Sequence, residues 1–192
     1  RGDRVVAYLP NIPEAVIAFL ATTSLGAVWS SCSPDFGSRS VLERFAQIEP
    51  KVLIAVDGYR YNGKVYDRLK VIDDLQEALP TLEQTILVPE LGVHPPELAE
   101  TILWQDALKT AIPPEELSFQ QVAFDHPLWV LYSSGTTGLP KPIVHGHGGI
   151  LLELVKETVF HNNLHQGDRF FWYTSTGWMM WNYMVGALLS GA

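Results

Sequence analysis

Apolar residues fall along this chain in two rhythms, and their alternation lays out a layered α/β fold. Short runs that are apolar at nearly every position, residues 5–9, 27–30, 52–56, 85–88 and 128–131, read as strands buried on both faces. Helical spacing fills the intervals. Residues 13–25 form a helix that opens with Pro13 at a first helical position and Glu14 in the first turn, and Gly26 ends it. Residues 38–48 form a second, capped by Ser38 or Ser40, with Val41, Leu42, Phe45 and Ile48 on one face. Shorter helices are predicted over 73–79 and 104–109, and a longer one over 150–162 with Leu151, Leu154, Val155 and Val159 as its buried stripe. Residues 59–64 and 91–96 read as loops, 112–125 as a surface linker, and 143–145 and 169–174 as further strands. A last apolar helix begins near Trp178. Strands alternating with helices predict a mainly parallel sheet covered on both sides.

Composition narrows the function classes. With 192 residues, 47% hydrophobic and 18% charged, the chain can bury one sizeable core. A net charge of −8 argues against nucleic-acid binding, which needs a basic face. Cys32 is the single cysteine, so no internal disulfide forms; this fits a reducing, cytoplasmic compartment and a thiol used as a small buried hydrophobe. Residues 15–34 and 174–192 carry no charge, but polar residues and glycines interrupt both, and neither supplies the ~20 predominantly apolar residues of a membrane span. A strand starts almost at residue 1, and the final apolar helix lacks a polar cap. The chain is therefore expected to be a piece of a longer polypeptide.

The chemistry concentrates in Tyr132-Ser133-Ser134-Gly135-Thr136-Thr137-Gly138-Leu139-Pro140-Lys141-Pro142. Within nine residues, 133–141, stand four hydroxyl side chains, two glycines and one lysine, with no acid among them. Glycines let the backbone bend until several N–H groups converge, hydroxyls add donors without bulk, and the ammonium supplies a point charge suited to phosphate. The same residue types also build ordinary surface turns, but their order here favours a polyanion cradle. It is not the Walker loop. Leu139 and Pro140 intervene before Lys141, Pro142 stands where a hydroxyl would be needed, and the chain continues as strand rather than helix. The segment is predicted to be a hairpin-like loop between two strands.

Residues 133–141 resemble the signature loop of the acyl-adenylate-forming (AMP-dependent) ligases, which comprise acyl-CoA synthetases, luciferases and peptide-synthetase adenylation domains. The resemblance implies that Ser133, Ser134, Gly135, Thr136, Thr137, Gly138 and Lys141 wrap the phosphates of ATP, with Lys141 and Thr137 in catalytic roles. Gly177-Trp178-Met179-Met180-Trp181-Asn182, at a predicted strand's carboxyl end, is similar to the stretch that lines the acyl pocket of short-chain acyl-CoA synthetases. Core packing is the usual use of such bulky residues, but by resemblance Trp178, Met179, Met180 and Trp181 become substrate-binding candidates. Four such side chains would leave a short pocket. The Trp N–H groups and the Asn182 amide are candidate donors to a buried acyl oxygen. With His145-Gly146-His147-Gly148-Gly149 before it, this stretch is most similar to the branch that activates acetoacetate, acetyl- and propionyl-activating ligases being the alternative.

Two further constellations are weaker. Arg60 and Lys64 flank Asn62-Gly63 where acetyl-activating relatives contact CoA through a Gly-rich loop with two basic residues, though here the spacing differs. The same segment also reads as a solvated loop. His145 and His147 alternate as metal ligands can on a strand, but the residues that follow complete no ligand set, so no protein-bound metal site is predicted.

The resemblance implies a two-step reaction. A carboxylate attacks the α-phosphate of ATP and expels pyrophosphate, and the thiol of CoA then takes the acyl group, with Mg²⁺ assisting at the phosphates. Residues 1–192 would form part of the sheet-and-helix N-terminal domain, without the C-terminal domain or the later motifs, and alone would be inactive. The partners are small molecules, with no nucleic acid, no membrane insertion and no inferable protein. A peptide-synthetase or luciferase-like ligase, or a non-catalytic nucleotide-binding module, are the competing readings.

Overall fold

In the computed structural model, which describes residues 1–92, 98–133 and 138–192, a seven-stranded sheet carries the chain. Its strands are β1 (Arg4–Tyr8), β2 (Val28–Cys32), β3 (Val52–Val56), β6 (Gln84–Val88), β7 (Thr101–Leu103), β8 (Pro127–Ser133) and β9 (Lys141–Gly146), in the order β7-β6-β3-β1-β2-β8-β9. All neighbours run parallel except β8 and β9, which pair antiparallel. A separate hairpin, β4 (Gly58–Tyr61) with β5 (Lys64–Asp67), follows β3. The helices are α1 (Pro13–Ser24), α2 (Ser38–Phe45), α3 (Leu69–Ala78), α4 (Trp104–Leu108), α5 (His147–Val155) and α6 (Met179–Gly186).

The alternation of side chains along the central strands divides the core in two. Val6 and Tyr8 of β1 face one layer, with Val41 and Phe45 of α2 and Ile72 and Leu75 of α3. Ala7 of β1 and Leu9 face the other, with Ala15, Ala18 and Phe19 of α1, Leu154 of α5, and Trp181 and Val185 of α6. Both sheet faces are therefore covered, as near-continuous apolar strands require. From β1 the chain goes to β2 on one side and then to β3 on the other. That reversal opens a crevice outside the carboxyl ends of the central strands, the place where open α/β sheets bind ligands.

The expected strands are all present except residues 169–174, which have no regular secondary structure and join no ladder among the described residues. An apolar, aromatic run signals the wish to be covered, not the presence of a neighbouring strand, and Phe171 and Tyr173 stand exposed. Strand β7 is short and half-exposed and gave no signal. Three other expectations are corrected. Helix α2 is preceded by Gly37 at its cap, without a side-chain cap from Ser38 or Ser40. The third helix starts at Leu69 rather than 73, where the carboxylate of Asp67 accepts from the Leu69 N–H at 2.8 Å. Helix α5 buries Leu154 and, one turn on, Thr158, whereas Leu151, Val155 and Val159 are turned outward. Its regular α form ends at Val155 and residues 156–161 continue in a wider π turn.

Candidate functional site

Residues following β1, β2, β3 and β6 meet at the carboxyl edge of the sheet and line a cavity of about 800 Å³. Asn11 comes from the first of these connections, Ser33 and Asp35 from the second, Tyr59 and Arg60 from the hairpin after β3, and Glu90 from the last. Trp172, Trp178 and Met180 close it from the C-terminal part of the chain.

Residues 59–64, read as a loop, instead form the tip of the β4–β5 hairpin. Asn62 and Gly63 both have positive φ, 48° and 73°, which is the two-residue turn that an Asn-Gly pair favours. That pair was the signal the aromatic and basic composition obscured. Arg68 fixes the hairpin to the end of β2: its guanidinium donates to the Pro34 carbonyl at 2.6 Å and to the Tyr59 hydroxyl at 3.2 Å, and lies against the stacked rings of Tyr59 and Tyr66. Gly58 cannot carry a side chain, since a Cβ there would stand 2.4 Å from the Tyr66 carbonyl oxygen. In register, Arg60 pairs with Val65 and Tyr61 with Lys64, so the two cations project from opposite faces of the hairpin. Arg60 lines the cavity; Lys64 is exposed outside it.

The signature segment has the predicted hairpin form. β8 ends at Ser133 directly opposite Lys141, the first residue of β9. Gly138 has φ +103°, a conformation only glycine adopts without strain. Ser134, Gly135, Thr136 and Thr137 lie outside the described residues. Both bases of the loop are tied to the region of α2: the Tyr132 hydroxyl donates to the Arg44 carbonyl at 2.7 Å, and the Gln47 amide to the Pro140 carbonyl at 2.9 Å. The Lys141 side chain is exposed and has no carboxylate partner among the described residues. Because β8 runs parallel to β2, this cation stands on the same sheet edge as the cavity.

Around α6 the structure separates residues that the sequence grouped. Gly177 is required by close approach: a Cβ would meet the Phe36 ring at 2.9 Å. Trp178 is 60% exposed and lines the first cavity. Met179 and Met180 line a second cavity of about 610 Å³, between the β8–β9 face and helices α5 and α6, with Trp129, Leu131 and His145 on its sheet side. Trp181 points the other way. It is fully buried, packs edge-on to Phe19, and donates its indole N–H to the Asn11 side chain at 2.9 Å, so as a lining residue it is withdrawn.

Burial governs the titratable groups behind the site. Desolvation pushes the Cys32 thiol up to about 12, against the nearby Arg44 charge. It also raises the hydroxyls of Tyr8 and Tyr132. Tyr8 donates to the carbonyls of Pro34 and Phe36 and so shapes the cavity floor as a neutral donor. His147 is held below the ordinary histidine value by desolvation and then by His126, whose ring is 5.7 Å away. His145 and His147 serve different neighbours: His145 accepts from the Trp129 indole at 2.8 Å, while His147 sits beside His126. No three His, Cys, Asp or Glu residues converge on a possible metal position among the described residues.

The sequence model of a family described as AMP-binding enzyme matches residues 1–192. Over its full length the chain is 44% identical to acetoacetyl-CoA synthetase of Gallus gallus and 47% identical to acetoacetyl-coenzyme A synthetase of Rhizobium meliloti (strain 1021), covering 30% and 29% of those proteins. The solved structure of acetoacetyl-CoA synthetase from Streptomyces lividans superposes with a TM-score of 0.93 at 58% identity, over 99% of this chain and 29% of that one. The chain thus spans a little under a third of the length of the relatives it matches.

Proposed function

The chain belongs to the AMP-binding enzyme family, and from that premise we propose that it forms part of the N-terminal domain of an acetoacetate–CoA ligase. The observation that supports the reading is that Ser133 and Lys141, the two ends of the signature loop, stand opposite each other on the same sheet edge as a cavity that also receives Arg60. No nucleophile–base pair is needed for the first step. A carboxylate is already ionised near neutral pH, and one of its oxygens forms the bond to the α-phosphorus as the bond to pyrophosphate breaks. The barrier is then a matter of bringing two anions together. Lys141 neutralises phosphate charge, and the loop, including Ser133, Ser134, Gly135, Thr136, Thr137 and Gly138, orients the ATP phosphates.

In the second step the thiol of CoA attacks the acyl carbonyl and AMP leaves. The cavity between the hairpin and Trp178 admits a long thin cosubstrate, with Arg60 placed to meet a phosphate. Lys64, which does not line the cavity, has the weaker claim. Mg²⁺ belongs with ATP, but among the described residues no carboxylate set is gathered to hold it, so the charge neutralisation attributable to this chain rests on Lys141. The acyl group fits the second cavity, where Met179 and Met180 limit its length. The single, buried Cys32 agrees with a reducing, cytoplasmic setting. No helix among the described residues is long and apolar enough to cross a membrane.

The test uses the full-length polypeptide that carries this chain, incubated with ATP, Mg²⁺, CoA and acetoacetate. Formation of acetoacetyl-CoA with stoichiometric AMP is expected. Release of ADP in place of AMP, or an acyl-adenylate that CoA does not consume, would refute a ligase of this class.

A further inference from the structure

The second cavity contains one polar side chain whose state folding alone does not account for. Asn182 is 2% exposed, lines the cavity, and neither its Nδ2 nor its Oδ1 has a hydrogen-bond partner among the described residues. A carboxamide offers two donors and an acceptor, and burying it unpaired is costly. An apolar residue of similar size would pack there without that cost.

Most other polar groups around the cavity are engaged or reach water; the Trp172 indole, which also lines it, is half-exposed and can be satisfied by solvent. The Trp129 indole donates to His145, and the Trp181 indole donates to Asn11 on the far side of α6. The Tyr183 hydroxyl accepts from the Asn162 amide, and the Glu153 carboxylate pairs with Lys156. His145, its Nδ1 taken, keeps a proton for Nε2, but that ring is partly open to water and so can be satisfied without a ligand. Asn182 cannot.

Its position suits an acyl group being activated. Leu131 lines the same cavity, and Ser133, where the loop begins, lies two residues further along β8, roughly 7 Å at the rise of a strand. An acid whose carboxylate faces the loop would extend its third carbon toward α6.

We propose that Asn182 reads the third carbon of the acid, its Nδ2–H donating to a 3-oxo oxygen. The assignment rests on the acyl-CoA ligase reading above and adds a substrate class to it. Oδ1 is equally unpaired among the described residues, so an acid whose third carbon is itself a carboxamide carbon satisfies both ends of Asn182 at once. Malonamate, which replaces the methyl of acetoacetate by an amino group of similar size, is therefore a substrate alongside acetoacetate. Butyrate, which leaves both ends unpaired, is rejected. Water does not reach the amide atoms, so the acid must move a wall side chain; Met179 and Met180, unbranched and flexible, are the neighbours that do so.

The experiment measures kcat/KM for acetoacetate, malonamate and butyrate with the full-length enzyme and with its Asn182→Leu and Asn182→Ser variants. In the wild type, malonamate is expected within about tenfold of acetoacetate and butyrate at least about tenfold below both. In Asn182→Leu the ratio of acetoacetate to butyrate is expected to fall at least about tenfold, because the partner of the oxo group is gone. Equal use of acetoacetate and butyrate by the wild type overturns the proposal without any variant. So does a variant that loses activity on both acids in equal proportion, since that is a packing defect. If Asn182→Leu does not fold, the Asn182→Ser ratio and the wild-type series decide. Turnover of none of the three acids overturns the ligase reading itself, and this assignment with it.

Discussion

Trp181→Phe separates a core tryptophan from a substrate-binding one. The indole of Trp181 is wholly buried, packs edge-on to Phe19 with ring centroids 6.1 Å apart, and donates to Asn11 at 2.9 Å. Phenylalanine keeps the edge contact but deletes the N–H and part of the bicycle. A neutral hydrogen bond contributes about 1 kcal/mol net, and Asn11 is exposed enough for its freed oxygen to find water, so no larger desolvation cost is added. A residual void on the order of 30–40 Å³ adds about 1 kcal/mol. The sum, about 2 kcal/mol, corresponds to a fall in Tm of about 4–8 °C if a unit of about 150–250 residues unfolds cooperatively, and to a smaller fall in the larger full-length enzyme. Thermal unfolding followed by circular dichroism measures it, and the acetoacetate-to-butyrate ratio of kcat/KM measured in parallel should not move. An unchanged Tm accompanied by a changed ratio would refute the placement of Trp181 in the core.

Cys32, held protonated by burial, should resist iodoacetamide at about pH 8 in the folded protein and react once urea unfolds it; native labelling at the rate of a free thiol would contradict its burial. His147, whose folded value lies below the ordinary one, contributes stability that is present above that ordinary value and lost as pH falls through the folded value. Tm should therefore drop as pH falls below the ordinary histidine value of about 6.5, and drop less in His147→Gln; identical profiles would remove His147 from the account. Met180→Gly, at a position lining both cavities, should raise kcat/KM for hexanoate at least about tenfold relative to acetoacetate, whereas an unchanged chain-length profile would move the acyl site elsewhere.

The central sheet was legible because its strands are buried on both faces and so are apolar throughout, as in residues 52–56. The β8–β9 hairpin was legible for a different reason: glycines and a proline clustered between two apolar runs mark a turn between strands. Where the sequence misled, the cause was a signal that reports burial or composition but not the partner. The run of residues 170–173 is aromatic enough for a strand, yet no described strand lies beside it. The Met179, Met180, Trp181 group looked like one surface, but a helix turns successive residues through ~100°, which sends Trp181 into the core and leaves the two methionines at the cavity. Asn62-Gly63 was readable and was overridden by the basic residues around it. Nothing in the sequence could show that the Asn182 amide finds no partner among the described residues, because that depends on where every neighbouring donor is spent.

Lys141 and its loop are proposed to neutralise the phosphates of ATP while acetoacetate attacks. Acetoacetate-dependent exchange of pyrophosphate into ATP isolates that step from CoA transfer. In the full-length enzyme, Lys141→Ala is expected to slow this exchange at least tenfold, about 1.4 kcal/mol of transition-state stabilisation, with folding intact because the side chain is exposed. Exchange at the wild-type rate in a folded Lys141→Ala enzyme would contradict it.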